Sequence, residues 1–310
     1  MAVVFGKPSF VLEKGKNNPI IKEENIIVIG AEVHSKKASN KLIFMAQAVR
    51  KINIEKIQTI IYFEQGYSEN MKTEFEKSVN LYNKNISIIR ISSISQLISY
   101  INIGSIFHNL INIRIFPYKN NSIYKIKNIY IYSHGMPSRI TFLLDWETYK
   151  VNHNIQSDEK SSANELNLTN YMNLNPESFL DGASNWSYAC RTGLSSENNS
   201  DIEIFTWGEE ESLAQKMADF LNINIYAFLK RSSYEDTWGS KLDRLSDDDE
   251  FRNYKKEEKK IDNKFIWQPQ GAYRDVKAGD TPYGPPNCLC LFRKENSIAP
   301  TCETMHFPLG

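Results

Sequence analysis

The chain has 310 residues, 41% of them hydrophobic and 12% aromatic, enough to fill a sizeable core. Its formal net charge is +0 and its pI about 7.0, which excludes a whole-protein field that would draw in nucleic acid or an anionic membrane. No run approaches the ~18 consecutive apolar residues of a membrane span, and the first twelve residues, interrupted by Gly6, Lys7 and Pro8 with no basic segment before them, do not read as a secretory signal.

Residues 1–24 offer an edge strand at 3–5 and 10–12, then a Gly/Lys/Asn/Pro-rich loop. Residues 25–31 are a short continuous apolar run, the pattern of a strand buried on both faces. Leu42, Met45, Ala46, Val49 and Ile52 then recur at spacings of three and four, predicting a helix with one apolar face and Ser39 as its N-cap. Thr59–Phe63 is the next buried run, Glu69–Tyr82 the next amphipathic pattern and residues 86–91 a third strand, so the order is β-α-β-α-β. A helix over 95–106, an apolar stretch at 111–116 and a strand over 125–133 continue the alternation. Such alternation predicts an α/β fold with a mostly parallel sheet covered on both faces and right-handed crossovers.

Residues 139–145 read as a short strand or hairpin, 147–162 as an exposed polar loop and 164–174 as a helix packed ahead of a strand at 185–190. Residues 194–201 form a Ser/Asn-rich loop. A helix is predicted over 209–221, with Glu209, Glu210 and Glu211 in its first turn and Leu213, Met217, Phe220 and Leu221 along one face. Residues 223–229 are another buried strand, 230–264 are dominated by charge, and the strand-like pieces of 265–310 are expected to add an edge to the sheet. The chain reads as a single domain over 1–310, with its core at 25–230 and a C-terminal extension packed on the sheet.

Two of these strands stop at a reactive residue, and open α/β sheets place their chemistry at the carboxyl ends of strands. Ile129-Tyr130-Ile131-Tyr132-Ser133 stops at His134-Gly135, and Asn185-Trp186-Ser187-Tyr188-Ala189 stops at Cys190. The separation, 190 − 134 = 56 positions, is near the ~50-residue upstream spacing of the caspase histidine. A thiol attacks a carbonyl as thiolate, and a neighbouring imidazole can generate it and later protonate the leaving amine. The backbone N–H groups of Cys190 and Gly135 would then hold the oxyanion, each donor worth roughly 3 kcal/mol. Alone, Cys190 is more simply a buried cysteine and His134 a turn histidine; the pairing favours catalysis. His34, His108 and His153 have no such partner, and although Cys288, Cys290, Cys302 and His306 could supply four zinc ligands, residues 288–292 read more simply as a strand with small buried residues. Four cysteines so placed do not form the disulfide framework of a small secreted domain.

Tyr188-Ala189-Cys190-Arg191-Thr192-Gly193 is similar to the caspase Gln-Ala-Cys-Arg-Gly signature, and with the upstream His134-Gly135 it resembles the caspase-like cysteine peptidases. That group includes legumains, gingipains, separases and the self-processing domains of bacterial toxins. The helix-strand unit at 212–228 also resembles the one that follows the cysteine turn there. The resemblance implies a three-layer α/β/α sandwich, a Cys190/His134 dyad acting through an acyl-enzyme, no metal or organic cofactor, and in bacteria often an effector or toxin role. Tyr188 stands where caspases have a glutamine, and Thr192 is inserted before the glycine, so aspartate specificity does not carry over. The resemblance further implies that Tyr188, Ala189, Lys230 and Arg231 contact the residue on the carbonyl side of the cleaved bond (P1), favouring a small, apolar or acidic side chain. Self-cleavage in residues 147–162 or 232–262 is a corollary. The same dyad could act on a non-peptide acyl group, and a non-catalytic protein-binding module remains the alternative of another class. The expected partners are a protein or peptide substrate and an inhibitor or immunity protein, with no nucleic acid and no membrane span. The chain is expected to be cytoplasmic where made, with export left to a machine that reads no classical signal.

Overall fold

Ile26, Ile27, Val28 and Ile29 are all fully buried, so the strand they belong to must be covered on both faces. The computed structural model describes residues 20–33, 38–103, 122–144, 164–195, 212–234, 237, 267–294 and 301–303. In chain order the elements are β1 (Ile20–Ile29), β2 (Ala31–Glu32), α1 (Ala38–Ile52), β3 (Thr59–Phe63), α2 (Glu69–Tyr82), β4 (Ser87–Ile91) and α3 (Ile94–Ile103). Then come β5 (Ser122–Tyr132), β6 (His134–Met136), β7 (Arg139–Thr141), β8 (Leu143–Leu144), β9 (Glu165–Asn167) and β10 (Phe179–Ser187). The last are α4 (Leu213–Leu221), β11 (Asn224–Phe228), β12 (Ser232–Ser233), β13 (Lys277–Ala278), β14 (Leu289–Phe292) and β15 (Thr301–Glu303).

The main sheet has eight strands in the order β15-β14-β11-β10-β5-β1-β3-β4. The run from β4 to β11 is parallel throughout, and β14 and β15 extend it as antiparallel edge strands. Alternate side chains of β1 feed two cores. Ile26 and Val28 pack with Leu97, Ile101, Leu213 and Met217 of α3 and α4, whereas Ile27 and Ile29 pack with Met45, Val49, Phe75 and Val79 of α1 and α2. The protein is therefore α/β, with a mostly parallel sheet flanked by helices on both faces.

Most of the expected alternation is present, with four differences. Strand β1 begins at Ile20, inside the expected loop, because Ile20–Glu24 find backbone partners in Ser122–Ile126 of β5. Helix α1 begins at Ala38, so Ser39 lies inside it rather than capping it. Residues 164–174 hold the short strand β9 and a 3-10 turn at Tyr171–Asn173 instead of a helix, because β9 pairs with β7 and Asn170 bonds back to Asn167 and Glu165. Helix α4 is capped by the Ser212 hydroxyl, which accepts the Gln215 N–H at 3.1 Å, and so starts at Leu213. The acids at 209–211, the strand pieces at 3–5, 10–12 and 111–116, and the loop at 147–162 lie outside the described residues. No described helix is long and apolar enough to cross a membrane.

A buried carboxylate ties α3 to the centre of the sheet. Glu24, 4% exposed, accepts hydroxyl hydrogen bonds from Thr59 at 2.5 Å and Tyr100 at 2.6 Å. Burial and then the Glu24 charge push the Tyr100 phenol well up, so it stays a donor. Tyr100→Phe leaves that carboxylate with one donor fewer and is expected to lower stability by about 1.5–3 kcal/mol, read as a shifted midpoint in urea. An unchanged midpoint would show that the bond contributes nothing net.

Candidate active site

Three neighbouring strands of the sheet, β1, β5 and β10, deliver the functional side chains at their carboxyl ends. In register, Ile29 pairs with Tyr132 and Ile131 with Ser187. Just beyond that level the chain reaches Glu32 on β2, His134 at the start of β6, and Cys190. From β1 the connections run outward through β3 and β4, then return through β5 to β10 and β11 on the other side. The site thus lies beside the topological switch point, where open sheets leave a crevice. The sequence placed Cys190 at the end of its strand, but β10 stops at Ser187, and Cys190 lies in the turn that follows.

That turn is held from several sides. Arg191 takes a left-handed φ of 54° and its N–H donates to the Lys230 carbonyl, while Gly193 donates to Phe228. The buried hydroxyls of Ser187 and Thr192 meet at 3.1 Å. The β6–β7 hairpin that carries His134 is fastened to the same turn: Ser138 donates its N–H to the Leu194 carbonyl and its hydroxyl to Ser195. Gly135 lies flush against Cys190, so close that a Cβ there would stand 2.6 Å from the Cys190 carbonyl oxygen and 2.9 Å from its nitrogen. Only glycine fits this approach. The Cys190 N–H itself makes no backbone hydrogen bond among the described residues.

Around the imidazole, Glu32 Oε2 lies 3.7 Å from His134 Nε2, and the Phe44 ring of α1 stands edge-on at 5.0 Å between centroids. Nε2 is buried and makes no hydrogen bond among the described residues. Glu32 also acts on Lys41, whose ammonium is lowered by burial and raised in turn by that carboxylate. The sulfur is addressed from β12: the Ser232 N–H donates to Cys190 Sγ at 3.2 Å, and the Ser232 hydroxyl lies 3.0 Å from it. Imidazole and thiol are brought to adjacent strand ends, but they are not hydrogen-bonded to each other. Catalytic hydrogen bonds are often long before substrate binds.

The residues expected to contact substrate separate into two groups. Tyr188 and Ala189 are 2% and 0% exposed, with Tyr188 stacked on Tyr132 at 4.8 Å in the core under α1, so neither side chain offers a surface to a substrate. Lys230 is half-buried and Arg231 exposed, and the Arg231 backbone is bonded to Thr281 and Gly279. Sequence reasoning missed Glu32, Phe44 and Ser232. An acid directly after the apolar run at 25–31 was a usable signal for Glu32; Phe44 and Ser232 reach the site only through packing.

In the C-terminal cluster, Cys290 is disulfide-bonded and stands opposite Cys302 in register; Cys288 is free. His306 lies outside the described residues. Among the described residues, no group of three or more His, Cys, Asp or Glu side chains is placed to hold a metal ion. Compared with known proteins, the chain matches no family model, no curated protein and no solved structure.

The free thiols differ in environment. Burial raises the Cys288 thiol, which leaves less of the nucleophilic thiolate at neutral pH, whereas Cys190 Sγ accepts the Ser232 N–H and lies 3.0 Å from the Ser232 hydroxyl. Iodoacetamide at pH 7 should therefore alkylate Cys190 faster than Cys288 by on the order of 10-fold, read by mass spectrometry of the peptides. The reverse order would count against Cys190 as the nucleophile.

Proposed function

We propose that the protein is a caspase-like cysteine endopeptidase with Cys190 as nucleophile and His134 as general base and acid. The observation that carries this reading is the delivery of Glu32, His134 and Cys190 to one sheet edge by adjacent parallel strands, with Gly135 packed against the Cys190 backbone. His134 takes the thiol proton, and the thiolate adds to the carbonyl carbon of the scissile peptide. The Cys190 N–H, which has no other backbone partner, is available to the oxyanion, with the Gly135 N–H beside it. The imidazolium then gives its proton to the leaving amine, and a thioester remains. Water, deprotonated by His134, attacks that thioester; the carboxylic acid product departs and the thiol is restored. Glu32 orients the ring and complements the positive charge it carries between these steps.

One observation favours a second reading, a non-catalytic module: the sulfur bonds Ser232 rather than His134. The two readings differ in whether the thiol turns over a substrate. The Cys290 disulfide supports a working place more oxidising than a reducing cytoplasm, in keeping with an exported effector made without a classical signal.

Incubation with a peptide library and mass spectrometry of the cleavage sites is the decisive experiment. Cys190→Ala should abolish cleavage, and His134→Ala should slow it by about 10²- to 10⁴-fold with the fold retained. Full activity in either folded variant would end the dyad assignment. Glu32→Gln is expected to lower kcat by about 10-fold at unchanged KM, with Glu32→Asp recovering part of the loss. A Glu32→Gln enzyme with wild-type kcat would remove this residue from the mechanism.

A further inference from the structure

The ribbon formed by β12 and β13 borders a cavity of about 180 Å³, lined among others by Ser233, Thr237, Asp275, Ala278, Gly279 and Asp280. Its lining residue Ser233 directly follows Ser232 on β12. Ala278 is the register partner of Ser232, the residue whose N–H and hydroxyl address Cys190 Sγ. We propose that this cavity is the subsite for a basic P1 side chain, lysine or arginine, with Asp275 as the residue that selects it; the proposal rests on the peptidase reading.

The argument turns on one carboxylate. The Asp275 side chain is 7% exposed, and its Oδ1 is buried without a hydrogen-bond partner among the described residues. Its nearest cation, Arg50 Nε, stands 3.8 Å away, beyond hydrogen-bond reach, and that nitrogen is also unpaired. Lys51 acts on Asp275 through its field, but its ammonium sits over the Tyr130 ring at 4.7 Å. Asp275 is thus kept near positive charge without a donor to satisfy it, and a buried acceptor left open is costly. A lysine or arginine side chain entering from the sulfur side brings the N–H donors it lacks. An apolar side chain would leave Oδ1 unsatisfied, and an acidic one would be repelled.

The other charges on the lining do not reverse this. Arg274, Lys277 and Asp280 are all exposed and reach water, which screens them, whereas Asp275 is buried. Lys230 and Arg231, expected from the sequence to receive an acidic side chain, are not part of this lining. The expected preference for a small, apolar or acidic P1 is thereby replaced by a basic one.

The test uses peptidyl acyloxymethyl ketones identical except for arginine, lysine, aspartate or leucine at P1. Each reacts by displacement: the Cys190 sulfur forms a thioether with the methylene carbon, and the acyloxy group leaves as carboxylate. Labelling is read on Cys190 by mass spectrometry beside an iodoacetamide control. The arginine and lysine probes should label at least about 10-fold faster than the aspartate and leucine probes. Asp275→Asn should remove that margin while iodoacetamide labelling stays at the wild-type rate. Should this variant fail to fold, Ser233→Leu, which fills the cavity, should slow the arginine probe and not the leucine probe. Equal or faster labelling of wild type by the leucine or aspartate probe overturns the subsite and leaves the peptidase reading standing. Alkylation of Cys190 by iodoacetamide with no labelling by any of the four probes overturns both.

Discussion

Everything at the site depends on the parallel register of β5 with its two neighbours. A parallel ladder brings residues of equal height to the same sheet edge, so pairing Ile29 with Tyr132 and Ile131 with Ser187 sets the next few residues of three chains side by side. A slip of one residue would turn His134 to the other face and carry Ile129 and Tyr130 out of their separate cores. The hydrophobic effect thus fixes chemistry indirectly: Ile26, Ile27, Ile60 and Ile61 have no acceptable alternative register, and the polar residues above them inherit the alignment.

Above the strand ends, alignment alone would leave loose turns. Close backbone approach replaces side-chain contacts there. Gly135 lies against Cys190, Ser138 ties the hairpin to the chain after Gly193, and the buried Ser187–Thr192 hydroxyl pair closes the turn beneath the sulfur. The aromatic layer at this end serves the same purpose. Tyr188 stacks on Tyr132, Tyr234 donates to the Tyr188 carbonyl, and Phe44 stands edge-on to both Tyr234 and His134. Burial pushes the Tyr132, Tyr188 and Tyr234 phenols far up, so this layer stays uncharged beside His134 and Cys190.

What could be read beforehand followed from period and punctuation. Continuous apolar runs marked β1, β3 and β11, the spacing of three and four marked α1 and α2, and His134-Gly135 and Cys190 stood just past β5 and β10. Elements held by distant partners were not legible. β9 exists because β7 offers it an edge, and the 3-10 turn after it answers to Asn170, so no local pattern announced either. The burial of Tyr188 was hidden for a related reason: alternation along β10 does not continue into the turn, where the chain leaves the pleat. The residues around the cavity come from 233–237 and 274–280, segments with little periodicity that meet only after β12 and β13 pair.

Helix α1 has a part beyond covering the sheet. Its Phe44 touches the His134 ring, while Ala46, Gln47 and Arg50, within the next two turns, bond the backbone of Ala272, Arg274 and Tyr273. The strap that leads to Asp275 therefore hangs from the same rigid rod that braces the imidazole. The His134 ring and the segment leading to Asp275 share one mounting, so any displacement of that rod moves both together.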